Sequence, residues 1–229
     1  MYGDFEVSRE LEVPLPGGRL IVERIDEESV RLVKELRSSK ATRVLSLGAR
    51  ESLSLRPLPP LGGPLEVTCV LFKLPEPLLL LPGARVTLTL AMPADLGIYA
   101  RGVLVDSVPL TRVKYALYGP SDLGEVCRYV DRGVAESAPS WAAGEISVRI
   151  RSLSSSRLEV SRVVIPALGL AASVTEGGEV TFNDVEVEAS SVVYAEVRTK
   201  TLSSLAERAG RLRYAGEGRE VLYVMRYGL

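Results

Sequence analysis

The stretch Ala84-Arg85-Val86-Thr87-Leu88-Thr89-Leu90 decides the fold class. Val86, Leu88 and Leu90 fall on one side of an extended chain, and Arg85, Thr87 and Thr89 on the other, because successive side chains of a strand point to opposite faces. A period of two, not 3.6, describes a strand with one buried and one wet face. Outward from this segment, aliphatic and β-branched runs recur roughly every 8–12 residues, the spacing of sandwiches and barrels. Strands are expected over residues 5–13, 19–25, 42–47, 52–58, 65–73, 85–91, 98–105, 108–118, 125–131, 145–152, 157–165, 179–188, 192–200 and 220–227. Residues 29–36 read as a further strand, paired with 42–47 across 37–40. Pro16-Gly17-Gly18, Gly62-Gly63-Pro64, Pro82-Gly83, Gly119-Pro120 and Gly177-Gly178 supply the turns between them.

One helix is expected, at 204–213. Ser204 and Glu207 form an S-x-x-E capping box, Leu205, Ala209 and Leu212 follow near helical spacing, and Gly210 keeps the helix short. About fourteen strands exceed the roughly seven to nine of one sandwich. The reading is therefore an all-β chain of two β-sandwich-like domains with one short C-terminal helix. The domains are expected at 1–118 and 119–229, joined at 119–124.

Composition bounds the chemistry. The 229 residues are 46% hydrophobic and 25% charged, with a net charge of -1, which is globular composition without electrostatic pull toward nucleic acid. Asp4, Glu6, Arg9, Glu10 and Glu12 leave no apolar core for a secretory signal, and a cytoplasmic location is expected. The apolar runs 78–81 and 163–174 fall short of the roughly 20 residues that span a bilayer, and Pro166 interrupts the second. There is no His and no Gln, Asn occurs at Asn183 alone, and the lysines are Lys34, Lys40, Lys73, Lys114 and Lys200. Such depletion of heat-labile residues is a habit of hyperthermophile proteins. Cys69 and Cys127 read first as two buried small apolar residues, although intracellular disulfides do occur in hyperthermophiles.

Without histidine, Ser-His-Asp and Cys-His catalysis and imidazole-bound zinc are impossible within this chain. No phosphate-binding G-x-x-x-x-G-K-[ST] loop and no G-x-S-x-G elbow occurs. Carboxylate, lysine, tyrosine and arginine chemistry remains. Asp184, Glu186 and Glu188 share one strand face by their two-residue spacing and could ligate Ca²⁺ or Mg²⁺. The favoured reading makes them a solvated row that pairs with Glu196, Arg198 and Lys200 of the next strand. Lys114, Tyr115, Tyr118, Arg128 and Tyr129 gather around a glycine turn and are the candidate ligand-binding residues. Arg128 shares a face with Val126 and Val130, and a guanidinium facing inward needs a carboxylate or a ligand anion. An Arg–Asp or Arg–Glu bridge that pins two sheets is favoured, with an anion or glycan pocket lined by tyrosines as the alternative. Lys73-Leu74-Pro75-Glu76-Pro77-Leu78 reads as an edge or crossover where proline blocks pairing, and Trp141 as a core plug or an interface anchor.

An ordered set of motifs carries a family resemblance. It begins with Tyr2-Gly3, the prolines Pro57, Pro59, Pro60 and Pro64, and Pro75-Glu76-Pro77-Leu78. It continues with Met92-Pro93-Ala94-Asp95-Leu96-Gly97 and Lys114-Tyr115-Ala116-Leu117-Tyr118-Gly119, and ends with Gly124 and Cys127-Arg128-Tyr129. The chain resembles an uncharacterised archaeal family, domain of unknown function 432, over roughly its first half, and the resemblance fades after Tyr129. Leu58 and Leu61 depart from that pattern, standing where more acidic character is expected. The resemblance implies an archaeal, non-secreted protein and assigns no activity.

The functional expectation is a non-catalytic binding or scaffold module for a protein partner or a small anionic or glycan ligand. No cofactor is expected, and a divalent cation is possible. The alternatives are a metal- or carboxylate-dependent hydrolase using Asp184, Glu186 and Glu188, with Asp106 or Asp131, and a structural subunit that oligomerises through an edge strand.

Overall fold

The computed structural model describes residues 1–36, 39–48, 51–62, 65, 67–200, 214–215 and 220–229. The first six strands are β1 (Gly3–Glu6), β2 (Glu10–Leu15), β3 (Gly18–Arg24), β4 (Ser29–Leu36), β5 (Ser39–Ser46) and β6 (Ser52–Leu58). Next come β7 (Cys69–Leu80), β8 (Arg85–Pro93), β9 (Asp95–Ala100), β10 (Val103–Pro109), β11 (Tyr115–Tyr118) and β12 (Glu125–Val130). A short helix α1 (Arg132–Ser137) precedes β13 (Ala143–Ser152), β14 (Leu158–Pro166), β15 (Ala172–Val174) and β16 (Val180–Phe182). The last strands are β17 (Val185–Ala189), β18 (Ala195–Thr199), β19 (Tyr214–Ala215) and β20 (Leu222–Met225). The fold is all-β with one short helix among the described residues; the helix expected at 204–213 lies outside them.

Four sheets form two packed pairs. The meander β2-β3-β4-β5 faces the sheet β1-β6-β9-β10. Leu20, Val22, Val30 and Leu32 from the first meet Leu53, Leu55, Leu96 and Ile98 from the second in one buried cluster. The sheet β11-β12-β7-β14 packs with the eight-stranded sheet of β8, β13 and β15 to β20, around Cys69, Phe72, Val148, Val163, Phe182 and Val187. Alternation along the strands produces both clusters, since each strand offers every second side chain to one face.

The chain passes between the two clusters instead of finishing one first. β7 and β8 belong to the second pair of sheets, β9 and β10 return to the first, and β11 onward belong to the second. Residues 119–124, expected as a junction, form the turn that brings Tyr118 opposite Glu125.

Several single strands expected from composition are broken in two. The 98–105 segment is a hairpin closed at Arg101 and Gly102, whose φ values of 53° and 76° are what a tight two-residue loop requires. The 179–188 segment is divided by buried Asn183, whose side-chain amide donates to the Gly169 and Lys200 carbonyls and whose Oδ1 accepts from the Ala171 N–H. At 73–78 proline does not end the strand. β7 pairs with β14 at Lys73–Arg162 and again at Leu78–Val160, so the Pro75-Glu76-Pro77 segment bulges outward between them.

Cys69 and Cys127 form a disulfide, which corrects the expectation of two separate thiols. They face each other in the parallel register of β7 and β12, both fully buried. Closing a loop of 58 residues removes about 4 kcal/mol of unfolded-chain entropy in the chain-entropy treatment.

Candidate functional site

Arg128 on β12 is 1% exposed and Asp95, the first residue of β9, is 0% exposed. One guanidinium nitrogen, Nη1, donates to the Gly62 carbonyl at 2.7 Å, and Nη2 stands 3.8 Å from Asp95 Oδ1. The Gly62 N–H donates to Asp95 Oδ2 at 2.6 Å. A Cβ at Gly62 would sit 2.7 Å from that same oxygen, so the loop approaches the carboxylate only because the residue is glycine. Asp95 Oδ1 and Arg128 Nη2 have no hydrogen-bond partner among the described residues. Burial pushes the Asp95 carboxyl up to about 7, outweighing the opposite pulls of Arg128 and the Gly62 N–H. The acid that Arg128 requires is therefore Asp95, and the pair ties a strand of one sandwich to a strand of the other.

Of the remaining four residues of that cluster, Tyr115 shares a strand face with Arg128, and Tyr118 and Tyr129 lie on the other. Tyr115 lies opposite Arg128 in the ladder, and its Oη accepts from the Leu65 N–H at 3.2 Å. Tyr118, three residues on, faces the other way. It is fully buried, donates to the Gly228 carbonyl at 3.1 Å, accepts from the Tyr227 N–H at 3.1 Å, and meets the Tyr227 ring edge-on at 5.5 Å. Tyr129 shares the Tyr118 face and packs on the second core. Lys114 is ion-paired with Asp131.

The carboxylate row is placed among cations. Asp184, just ahead of β17, accepts from Arg149 at 2.9 Å. Glu186 contacts Lys200 at 2.9 Å and Arg149 at 3.9 Å, and Glu188 stands 3.8 Å from Arg151. Arg149 and Arg151 come from β13, which lies beside β17 in parallel register, whereas Arg198 pairs with Glu196 of its own strand. Asp106 is held by Lys34 at 2.8 Å, with Arg43 at 3.8 Å. Among the described residues no three acidic or thiol groups cluster so as to hold a metal ion.

A site that the motifs did not single out lies on the seam between the sandwiches. Two open clefts, of about 740 and 720 Å³, meet at Pro16 and Pro139, which line both. Tyr2, Pro14 and Trp141 line the second cleft, and Arg112, from the segment that crosses between β10 and β11, lines the first. Tyr2 packs against both cores, and its hydroxyl donates to the Trp141 carbonyl at 2.6 Å. Burial is the main reason the Tyr2 phenol is raised well above its ordinary value, with the Asp95 charge adding to it, so it remains a donor at physiological pH. Trp141 is the single tryptophan, and the sequence places it after Pro139. That was the available signal; Pro14 and Pro16, which line the cleft with it, come from the end of β2 and the turn after it, more than 120 residues earlier.

The fold and the seam define a two-sandwich β protein with an apolar, aromatic-lined inter-sandwich cleft. The chain belongs to the family described as "Protein of unknown function (DUF432)", whose model matches residues 1–223. The match extends well past Tyr129, where the resemblance was expected to fade, into the strands of the second sandwich. No curated protein and no solved structure matches the chain. No helix among the described residues is long and apolar enough to cross a membrane.

Proposed function

We propose that this chain is a non-catalytic binding module whose site is the seam cleft, and that it takes an extended, largely apolar peptide segment bearing one acidic group. The observation that carries this reading is the pair of clefts joined at Pro16 and Pro139, with Tyr2 and Trp141 on one side and Arg112 on the other. Ligand sites favour domain interfaces and combine apolar walls with a few polar groups that fix orientation. Among the described residues Arg112 is the single charged side chain lining either cleft, and it is exposed. An acidic group on the ligand is its natural complement.

The sole tryptophan makes the test direct. The chain is applied to an array of extended peptides, and the best binder is titrated while Trp141 emission is followed. Binding is expected to shift that emission, and Arg112→Glu is expected to weaken binding of an acidic peptide at least tenfold. An array that captures nothing, or a binder indifferent to Arg112→Glu that leaves Trp141 emission unchanged, refutes the reading.

The same proposal places the protein in the cytoplasm of a heat-adapted archaeon. Support comes from the depletion of heat-labile residues, and intracellular proteins of hyperthermophiles do carry disulfides such as Cys69–Cys127.

A further inference from the structure

An extended peptide can be held in two ways. As an added strand, its backbone pairs with a free sheet edge; as a polyproline II helix, its rings lie against aromatic side chains and its backbone needs no ladder. The second cleft of the seam is unequal toward the two. β2 is the outer strand of its meander and borders that cleft with Val13, Pro14 and Leu15. Proline is tolerated in a sheet where its nitrogen faces away from the paired strand. The free edge therefore lacks a donor at Pro14, and Pro16 in the following turn lacks one too.

Residues 139–141 line the same cleft, and their backbone acceptors are already engaged. The Pro139 carbonyl accepts from the Ala142 and Ala143 N–H groups at 2.7 and 3.1 Å, and the Ser140 carbonyl from the Val180 N–H at 2.9 Å. The Trp141 carbonyl accepts from the Tyr2 hydroxyl at 2.6 Å. What this segment has left is donors, first among them the Trp141 indole N–H, which meets no acceptor among the described residues. A strand must give and take hydrogen bonds along its edge. A proline-rich chain presents carbonyls and few N–H groups, the complement of a wall whose open groups are donors.

Taking the seam cleft as the peptide site proposed above, we infer that its ligand is a proline-rich segment in the polyproline II conformation with an acidic residue beside it. The ligand's prolines lie against Tyr2 and Trp141, and the indole N–H donates to one of its carbonyls. The Tyr2 hydroxyl bond to the Trp141 backbone holds the two aromatic residues together before the ligand arrives. The acidic residue falls in the first cleft, where Arg112 complements its charge and fixes the direction of the chain. A polyproline II segment is already extended when free, so little ordering opposes binding.

The test titrates the full chain, by calorimetry, with two synthetic peptides of equal length that each end in glutamate. One is otherwise built of proline and leucine; the other has alternating threonine and valine, which favour a strand. The proline peptide is expected to bind at least about tenfold tighter and to shift Trp141 emission. Trp141→Phe, which keeps a ring and removes the donor, is expected to weaken that binding several-fold. A threonine–valine peptide that binds as tightly overturns the inference and leaves the seam cleft standing as a peptide site. A proline peptide that does not bind, or that binds without moving Trp141 emission, also overturns it, and the peptide array then decides separately on the cleft. The comparison of peptides uses the unmodified chain, so it holds whether or not the variant folds.

Discussion

Two arginine–carboxylate systems in this molecule use the same chemistry at opposite depths. Arg128 and Asp95 are both nearly inaccessible, 3.8 Å apart, each with one polar atom unpaired among the described residues. Arg149 and Arg151 are about half exposed and face the partly exposed Glu186 and Glu188 across neighbouring strands, with Lys200 close by. The outer set has solvent to screen and satisfy it, so its pairs are individually weak and interchangeable. The inner pair has no solvent, so losing either partner strands a desolvated group. Depth, not the identity of the charged residues, decides which set holds the protein together.

The sharpest way to break this comparison is Arg128→Ala, which leaves Asp95 buried without its cation. It is expected to lower unfolding free energy by about 3–5 kcal/mol, measured by denaturant titration. A cost under about 1 kcal/mol, the level of an exposed pair, would erase the distinction. Next comes the covalent tie beside it. Cys69→Ala with Cys127→Ala is expected to cost about 2–5 kcal/mol, and the unmodified protein under reductant should keep its disulfide until it unfolds, because both sulfurs are buried.

A pH series sharpens the contrast without changing the number of charged pairs. The Asp95 carboxyl moves from its ordinary 3.8 to about 7 on folding. Between those values the folded chain holds a proton that the unfolded chain has released, so this group's contribution to stability falls as pH rises from about 4 to about 7 and is level above. Asp95→Asn should remove that slope. An unchanged slope in the variant would assign it to another group.

The smallest effects belong to the outer row. Glu186→Gln, or Glu188→Gln, is expected to change stability by no more than about 1 kcal/mol. Millimolar Ca²⁺ or Mg²⁺ should leave the thermal midpoint where it is. A clear rise that Glu186→Gln abolishes would turn this row into a cation site and revive the hydrolase alternative.

Much of this was legible in the residues. The alternation at 84–90 appears as a half-exposed strand, the 29–36 segment pairs with its neighbour as read, and the need of Arg128 for an acid follows from its place among apolar residues. Other features were hidden for physical reasons. Asp95 is 33 residues from Arg128, and nothing local marks it as the partner. Tyr115 and Tyr118 look like one cluster on paper, yet three-residue spacing on a strand sends them to opposite faces. The expected strand at 108–118 spans a crossing between sandwiches at Arg112, invisible in a pattern that reports only local extension.

The sequence by itself determined that the chain builds strands, where most of its turns fall, and that histidine chemistry is absent, because these depend on local geometry and on which atoms exist. The tertiary structure alone decided which strands share a sheet, that Cys69 meets Cys127, that Asp95 answers Arg128, and that Tyr2, Pro16, Pro139 and Trp141 frame one seam. Those outcomes rest on hydrogen-bond ladders and packing between residues far apart in the chain. Their energies depend on the whole arrangement, not on any short stretch of it.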